Sequence, residues 1–462
     1  MARLRLDRIA AAAGGVLRAG DPAAEFSGFR IDSRLVEPGD LFFAVIAERD
    51  GHAFVADAAA RGARGAVVSR DVPPPDPAFA LIRVADTVAA LQALARAVLA
   101  SRPVPIVGIT GSVGKTTTKE FTAALLGEAF PVLKSEANFN NHLGLALSAL
   151  GIEDGHKAAV LEMGMSAPGE IRALAAIAPP DVAVVTNVAP VHLEFLKTLD
   201  AVAAAKREIL EGMKPGGVAV LNGDDARVRA MARVASGGAI FFGFSDGCDV
   251  RASRLERLGY EGLDCDLLFE GKARTVRLPF LSDGYVYNLL AALGVVRAFG
   301  LGWEKIEEAV ERLGPIAKRG LVVRLSRGTV LIDDSYNSSP YALETALRGY
   351  AALPAGRRVA VLGDMLELGE TGPAFHEEAG RQAVRLGWDA LAAVGPLARD
   401  IARGARAAGM APERVREWGS SAEAAEALPD LLCPGDLVLV KGSRGVRLET
   451  IVARLTAALK ES

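Results

Sequence analysis

Cysteine is scarce in this sequence, with 3 residues in a chain of 462. Cys248, Cys265 and Cys433 lie far apart and show neither the spacing of a zinc site nor that of a redox pair. This scarcity excludes a disulfide-rich secreted scaffold, because such scaffolds need several bridges to supplement a small core. We therefore predict reduced, buried thiols and a cytoplasmic location.

Long apolar runs and an excess of one charge are also missing. No run approaches the ~20 apolar residues that a membrane helix needs, and Arg3, Arg5 and Asp7 stand where a signal peptide would have its apolar core. Lys and Arg number 53 against 56 Asp and Glu, so the formal net charge is −3. We expect no membrane insertion and no nucleic-acid partner, because anionic surfaces of both kinds attract basic patches.

The chain does contain enough apolar residues to bury several cores. Hydrophobic residues make up 50% of the sequence, and the length suggests about three domains. Alternation of β-branched runs with alanine-rich helical segments predicts an α/β protein. We predict a small N-terminal α/β domain over 1–100, a central phosphate-loop domain with a mostly parallel sheet over 101–313, and a C-terminal Rossmann-like domain over 314–462.

The predicted strands fall into these three domains. The N-terminal strands are Leu41–Ile46 and Gly65–Val68. The central ones are Val104–Thr110, Ala158–Glu162, Val182–Thr186 and Val218–Leu221, with an antiparallel appendage over 251–278. The C-terminal ones are Val330–Asp333, Val359–Leu362, Leu391–Val394 and Leu437–Val440.

A glycine-rich turn between a predicted strand and a predicted helix organises the central domain. The strand Val104–Thr110 runs into Gly108-Ile-Thr-Gly111-Ser-Val-Gly114-Lys115-Thr116-Thr117. Glycines let backbone N–H groups approach phosphate oxygens, and the helix N-terminus adds partial positive charge. Lys115 can reach the β- and γ-phosphates, and the Thr116 hydroxyl can bind Mg²⁺. Ile109 replaces the first glycine of the common pattern, but the flanking strand and helix still predict a nucleotide site.

Further polar residues follow predicted strands, where the ligands of parallel sheets collect. Glu162 ends a strand beside the phosphate loop, where a carboxylate can hold the Mg²⁺ that bridges phosphates. Asn138 and Asn141 put polar amides in a turn, and from the sequence alone a turn-forming role is the preferred interpretation. From spacing alone, His192 is a structural hydrogen-bonding residue and Lys206 is a solvated charge on an amphipathic helix.

Together, these residues and several further stretches occur in an order that resembles the Mur ligase family. The further stretches are Ile31-Asp-Ser-Arg34, Ala205-Lys-Arg-Glu-Ile209, Asp333-Asp-Ser-Tyr-Asn337, Val361-Leu-Gly-Asp-Met-Leu-Glu-Leu-Gly369 and Val440-Lys-Gly-Ser-Arg444. The phosphate loop is common to all Mur ligases and to folylpolyglutamate synthases. The stretches at 333–337 and 363–369 resemble the branch that adds a dipeptide. The resemblance covers nearly the whole chain.

The resemblance implies an ATP-dependent amide ligase of peptidoglycan precursor synthesis. In this family, ATP phosphorylates a substrate carboxylate, and a free amine then attacks the acyl phosphate to give an amide, ADP and phosphate. For the dipeptide-adding branch, the implied small-molecule substrates are a UDP-linked muramyl tripeptide and D-Ala-D-Ala. Such a site needs cations and positioning more than a strong base, because it brings two anions together. A monomer is expected.

The resemblance also implies roles for individual residues. The implied ATP site consists of Gly111, Ser112, Val113, Gly114, Lys115, Thr116, Thr117, Asn288, Arg319 and Asp334. The implied catalytic residues are Lys115, Asn138, Asn141, His192 and Lys206. Two Mg²⁺ sites are implied, one at Thr116 and Glu162 and one at His192 and a carbamylated Lys206. Ser33 and Arg34 are implied for the uridine nucleotide, and Asn337 and Ser443 for the incoming amine. The family's adenine-contacting stretch keeps only its last asparagine, Asn288.

Two alternatives stay open. One is another Mur-type ligase with a different amine, such as the one that adds the third residue; the absence of its usual Asp-Asn-Pro-Arg motif counts against it. The other is a non-catalytic, nucleotide-gated binding protein. Intact Lys115, Glu162, His192 and Lys206 argue against that reading, and phosphate release on substrate addition would decide.

Overall fold

Three large sheets in consecutive stretches of chain form the framework of the computed structural model, which describes residues 3–460. The first stretch contains the strands β1 Leu4–Arg5, β2 Val16–Ala19, β3 Glu25–Phe26, β4 Phe29–Arg30, β5 Leu41–Phe43, β6 Gly65–Val68 and β7 Ala80–Arg83, and the helices α1 Leu6–Ala12, α2 Val55–Ala60 and α3 Thr87–Ser101. Five strands pair in the order β2-β7-β6-β5-β4, and β2 alone among them is antiparallel to its neighbour. The strand predicted over 41–46 ends early, because Gly51 N–H bonds to the Val45 carbonyl (2.9 Å) and the chain bends away.

The second stretch forms a nine-stranded sheet. Its strands are β8 Ile106–Thr110, β9 Val132–Lys134, β10 Ala158–Glu162, β11 Val182–Val185, β12 Val218–Asn222, β13 Ala239–Gly243, β14 Val250–Arg257, β15 Leu263–Phe269 and β16 Lys272–Leu278. Its helices are α4 Lys115–Gly127, α5 Gly144–Leu150, α6 Glu170–Ile177, α7 Leu193–Leu196, α8 Leu199–Glu211, α9 Ala226–Ala230, α10 Asp283–Ala298 and α11 Glu307–Arg312. The order is β16-β15-β14-β13-β12-β11-β8-β10-β9, parallel from β14 to β9.

The predicted central strands are confirmed with small shifts at their ends. The strand predicted from Val104 begins at Ile106, because Pro105 has no N–H to donate to a ladder. The appendage predicted over 251–278 is antiparallel as expected, yet β14 pairs with β13 and so extends the central sheet.

The third stretch forms a six-stranded sheet in the order β17-β18-β22-β19-β20-β21. Its strands are β17 Leu321–Arg324, β18 Val330–Asp334, β19 Arg357–Gly363, β20 Ala390–Val394, β21 Val415–Trp418 and β22 Asp436–Lys441, and its helices are α12 Pro340–Ala351, α13 Gly372–Arg385, α14 Arg399–Ala407, α15 Ser421–Leu431 and α16 Glu449–Ala458. The four predicted strands are its interior strands β18, β22, β19 and β20. Its two edge strands carry exposed residues, so their sequences lack the buried run that signals an interior strand.

Each large sheet buries apolar side chains on both faces, as parallel sheets covered by helices do. Within the described residues, no helix is both long and apolar enough to cross a membrane. All three cysteines are free, and Cys248 and Cys265 are buried as predicted. Burial raises the pKa of Cys265 to about 12. The prediction is wrong for Cys433, which is exposed in the turn before β22, outside the core.

Candidate active site

The ends of strands from the central and C-terminal sheets meet at a cavity of about 1190 Å³. Fifteen of the predicted site residues line this cavity, namely Ser112, Val113, Gly114, Lys115, Thr116, Thr117, Asn138, Asn141, Glu162, His192, Asn288, Arg319, Asp334, Asn337 and Ser443. Gly111, Lys206, Ser33 and Arg34 are not among its described lining residues. The structure thus brings the predicted amine residues and all the predicted ATP residues except Gly111 to one cavity, whereas Lys206 and the predicted uridine residues do not line it.

The phosphate loop joins β8 to α4 in a conformation that requires two of its glycines. Gly111 and Gly114 have φ of +151° and +89°. A Cβ atom would lie 1.7 Å from Thr186 Oγ1 at the first position and 2.3 Å from Asn288 Oδ1 at the second. Asn187 anchors the loop by accepting hydrogen bonds from the Ser112 and Val113 N–H groups (3.0 and 2.9 Å). Asn187 was not predicted, because an asparagine after a strand carries no distinctive signal.

Lys115 starts α4 and folds back over the loop, where its Nζ donates to the Gly111 carbonyl (2.8 Å). Burial lowers the pKa of Lys115; the Glu162 carboxylate opposes this shift, and the Arg319 charge adds to it. The two cations therefore repel each other in the absence of a bound anion. A bound polyphosphate would relieve that repulsion.

Glu162 is buried at the end of β10, with both carboxylate oxygens engaged. Thr116 Oγ1 donates to Oε2 and Asn140 Nδ2 to Oε1, each at 2.8 Å. Arg319, from the loop before β17, donates from Nη2 to Thr116 Oγ1 (3.1 Å). Thr116 and Glu162 are adjacent, as one shared Mg²⁺ would require. Asn140 was missed, because the sequence does not show which of three nearby asparagines turns inward.

The neighbouring asparagines lie differently. Asn141 caps α5, since its Oδ1 accepts hydrogen bonds from the N–H groups of Leu143 (3.2 Å) and Gly144 (2.8 Å). The structure therefore shows the turn-forming role of Asn141, and its catalytic role stays a prediction. Asn138 is exposed at the cavity, and its side chain has no hydrogen-bond partner in the described chain.

Lys119 holds the asparagine loop against α4 and was also missed. Its side chain is fully buried, and Nζ donates to the carbonyls of Ser135 (2.7 Å) and Ala137 (3.0 Å). A signal exists in the sequence: position 119 shares a helical face with Thr122 and Leu126, which are buried too. A lysine in such a stripe indicates a buried polar anchor.

His192 and Lys206 approach the cavity region from the elements after β11. His192 stands immediately before α7, and its Nδ1 hydrogen-bonds to the carboxylate of Glu367 in the C-terminal unit. Lys206 is 2% exposed, so its prediction as a solvated charge is wrong. It lies on the buried face of α8, beside Ala205 and Ile209. Burial and the Lys115 charge lower the pKa of Lys206 well below its ordinary value.

No group of three His, Cys, Asp or Glu side chains in the described chain forms a ready metal site. Mg²⁺ is commonly bound by one or two carboxylates plus water and substrate phosphates. The Thr116 hydroxyl and the Glu162 carboxylate are oxygen donors of this kind. A Mg²⁺ site here would therefore depend on a bound nucleotide.

The C-terminal sheet contributes a buried ion pair and a stacked arginine. Lys441, at the end of β22, donates to Asp334 Oδ2 (2.8 Å) and to the Asn337 carbonyl (3.0 Å). Burial raises the pKa of Asp334 against the opposing effect of Lys441. The Arg319 guanidinium lies 4.1 Å from the ring centroid of Tyr336. These contacts fix the side of the cavity that faces the phosphate loop.

Ser443 and Asn288 both have partners within the protein. Ser443 Oγ accepts from the Leu366 N–H (3.0 Å). The stretch over 282–288 forms the first turns of α10, with Ser282 as its cap. Asn288 Oδ1 accepts from Thr118 Oγ1 (3.3 Å) beside Gly114, so it supports the phosphate loop from behind.

The predicted uridine residues lie in the N-terminal unit. Ser33 is buried at the start of a short 3₁₀ turn, and Arg34 forms an ion pair with Asp32 at 2.6 Å. Neither residue is among the described lining residues of the cavity, and their role in binding the uridine nucleotide stays a prediction.

Comparison with known proteins gives consistent similarities. Residues 109–296 match the Mur ligase middle domain, and residues 318–444 match the Mur ligase, glutamate ligase domain. The chain is 35% identical over 430 residues to UDP-N-acetylmuramoyl-tripeptide–D-alanyl-D-alanine ligase of Bacillus subtilis, covering 93% of each. A crystal structure of MurF from Acinetobacter baumannii has a TM-score of 0.89 and 30% identity over 99% of both chains. MurF from Thermotoga maritima, solved in complex with ADP, has a TM-score of 0.82 and 32% identity over 94% of this chain and 98% of that one.

Proposed function

The chain belongs to the Mur ligase family, and on that premise we propose that it joins D-Ala-D-Ala to a UDP-N-acetylmuramoyl tripeptide with consumption of ATP. One observation supports this above the others: the phosphate loop faces strand-end residues of the C-terminal sheet across a single cavity. A ligase of this kind must hold ATP, a carboxylate and an amine between two units. The product is a precursor of peptidoglycan.

We propose a division of labour among three domains. Residues 1–100 bind the uridine nucleotide through Ser33 and Arg34, residues 101–313 bind ATP, and residues 314–462 bind the amine. The positions of the three large sheets support this division, as do the two domain matches. We further propose a cytoplasmic location, in keeping with the three free cysteines, and a monomeric state.

In the first step, a carboxylate oxygen of the tripeptide attacks the γ-phosphorus of ATP. A carboxyl O–P bond forms, the bond to the β-phosphate oxygen breaks, and ADP leaves. Charge develops on the transferred group, so positioned cations and N–H donors lower the barrier. Lys115 and Arg319 are cations at the phosphate loop, and their mutual repulsion favours binding of an anion there.

Mg²⁺ would be held by Thr116 and Glu162, and a second ion by His192 and Lys206. Bound Mg²⁺ would neutralise phosphate charge. The depressed pKa of Lys206 supports carbamylation, because only the neutral amine adds dissolved CO₂. In that addition an N–C bond forms and a proton is lost, and an ammonium that would repel Mg²⁺ becomes a carboxylate-like ligand.

In the second step, the free amine of D-Ala-D-Ala attacks the acyl phosphate. A C–N bond forms, the C–O bond to phosphate breaks, and the amine loses a proton as phosphate leaves. Asn337 and Ser443 lie on the cavity wall where this amine would arrive. Arg444 is the cation that could bind the far carboxylate of the dipeptide, because Lys441 is already paired with Asp334.

Phosphate release by purified enzyme tests this function. We expect release only when ATP, the tripeptide nucleotide and D-Ala-D-Ala are all present, with one amide product per phosphate by mass. Binding of all three without phosphate release would instead support a non-catalytic binding protein.

A further inference from the structure

A carboxylate of the C-terminal unit contacts the histidine assigned to the second Mg²⁺. Glu367 lies on the loop after β19, and its side chain hydrogen-bonds to Nδ1 of His192, which follows β11 and is 175 residues away in sequence. The Glu194 N–H also donates to the Glu367 carbonyl (3.2 Å), so the same two loops are joined twice. These contacts require the central and C-terminal units to lie against each other.

When the His192 ring is neutral, the contact determines which of its two nitrogens is free. An ionised carboxylate only accepts hydrogen bonds, so Nδ1 carries the hydrogen. Nε2 has no hydrogen-bond partner among the residues that the structure describes, and His192 lines the cavity. Metal-binding histidines commonly have this arrangement, with one ring N–H bound to a carboxylate and the other nitrogen free.

The backbone at both residues is held in a conformation that side chains rarely adopt. φ is +53° at His192 and +63° at Glu367. Non-glycine residues keep such values only where their surroundings fix them, and they cluster at functional sites. The Met365 N–H donates to Nε2 of the fully buried His376 (2.9 Å), which fixes the Glu367 loop to the C-terminal unit.

We propose that Glu367 is a positioning residue for the second Mg²⁺. It orients His192 only when the C-terminal unit lies against the central one, so closure of the two units completes the metal site. This rests on the proposed function, because the second Mg²⁺ is part of it. The alternative is that the contact acts only as a latch, which holds the two units together without influence on metal binding. The side chains of His192 and Glu367 are 25% and 48% exposed, and exposed ion pairs contribute little to stability.

Glu367→Gln separates these two roles. The amide keeps the size of the side chain and its ability to bond to the ring, so a latch survives. It can also donate to Nδ1, which stabilises the other tautomer, with hydrogen on Nε2, and such a ring cannot bind metal through Nε2. Glu370→Gln is the matched control, because Glu370 follows on the same connection, and its exposed side chain has no hydrogen-bond partner in the described chain.

Mn²⁺ binding to the full chain with a non-hydrolysable ATP analogue, followed by electron paramagnetic resonance, tests the inference. We expect two bound Mn²⁺ ions in the wild type and in E370Q. In E367Q and E367A the second ion binds about 10–100-fold more weakly and the first is unchanged. Wild-type affinity for the second ion in E367Q overturns the inference, and so does a wild type that binds a single ion.

Ligation of D-Ala-D-Ala by the same samples distinguishes this failure from failure of the proposed function. If the wild type has no ligase activity but E367Q still binds the second Mn²⁺ more weakly, the proposed function is refuted and the role of Glu367 is upheld. An active wild type in which E367Q slows turnover without change in Mn²⁺ binding would leave the function intact and reduce Glu367 to a latch.

Discussion

Replacing Lys119 by Met should lower both the stability of the central unit and the rate of ligation. The methionine keeps most of the buried stem, but the carbonyls of Ser135 and Ala137 lose their donor. A buried acceptor without a partner costs about 1–3 kcal/mol, which gives about 2–6 kcal/mol for two. Removal of the buried ammonium returns part of this cost. We expect a loss of about 2–4 kcal/mol, and roughly tenfold to hundredfold slower turnover from displacement of Asn140.

Urea unfolding and phosphate release measure these two effects. At an m-value of about 1–3 kcal/mol per M, the midpoint of the central unit should fall by roughly 0.7 M or more. Lys134→Met is the matched control: Lys134 pairs with Glu120, as Lys119 does, but its side chain is 49% exposed. Its effect should stay below about 1 kcal/mol. Equal shifts for the two variants would refute the view that Lys119 anchors the asparagine loop.

Three other substitutions test the site. Lys115→Ala should reduce phosphate release at saturating ATP by at least about 100-fold without a change in the unfolding midpoint, and normal release would contradict its role. Lys206→Ala should be inactive and partly restored by short carboxylic acids; an unmodified lysine in the intact mass of active, metal-bound enzyme would refute carbamylation. Gly114→Ala should destabilise the central unit by about 1–3 kcal/mol and weaken ATP binding, because φ is +89° and Asn288 lies 2.3 Å from the new Cβ. Unchanged affinity in calorimetry would contradict this reasoning.

The phosphate loop could be predicted because its strand, glycines and helix are adjacent in sequence. The interior strands of the central and C-terminal sheets could be predicted for a similar reason, since strands buried on both faces read as short apolar runs. Edge strands such as β17 and β21 are partly exposed and lack that run. The structure confirmed the strand, glycine turn and helix of the phosphate loop and the interior strands, and it showed the edge strands that were not predicted.

The contacts that complete the candidate site could not be predicted, because they depend on packing between distant parts of the chain. Spacing alone assigned Lys206 to the solvent-exposed face of its helix, but the orientation of α8 buries this side chain. The choice of Asn140 over Asn141 as the partner of Glu162 depends on how the loop turns before α5. The bond from His192 to Glu367 joins two units across 175 residues.

The identity of the amine tests the central claim most directly. Purified enzyme with ATP and the tripeptide nucleotide would be offered D-Ala, D-Ala-D-Ala and L-Ala-L-Ala, first singly and then in competition, and products would be resolved by mass. We predict that D-Ala-D-Ala is joined fastest and dominates the product in competition. Faster ligation of free D-Ala, or turnover only when a dipeptide nucleotide is supplied with a diamino acid, would contradict the proposed function.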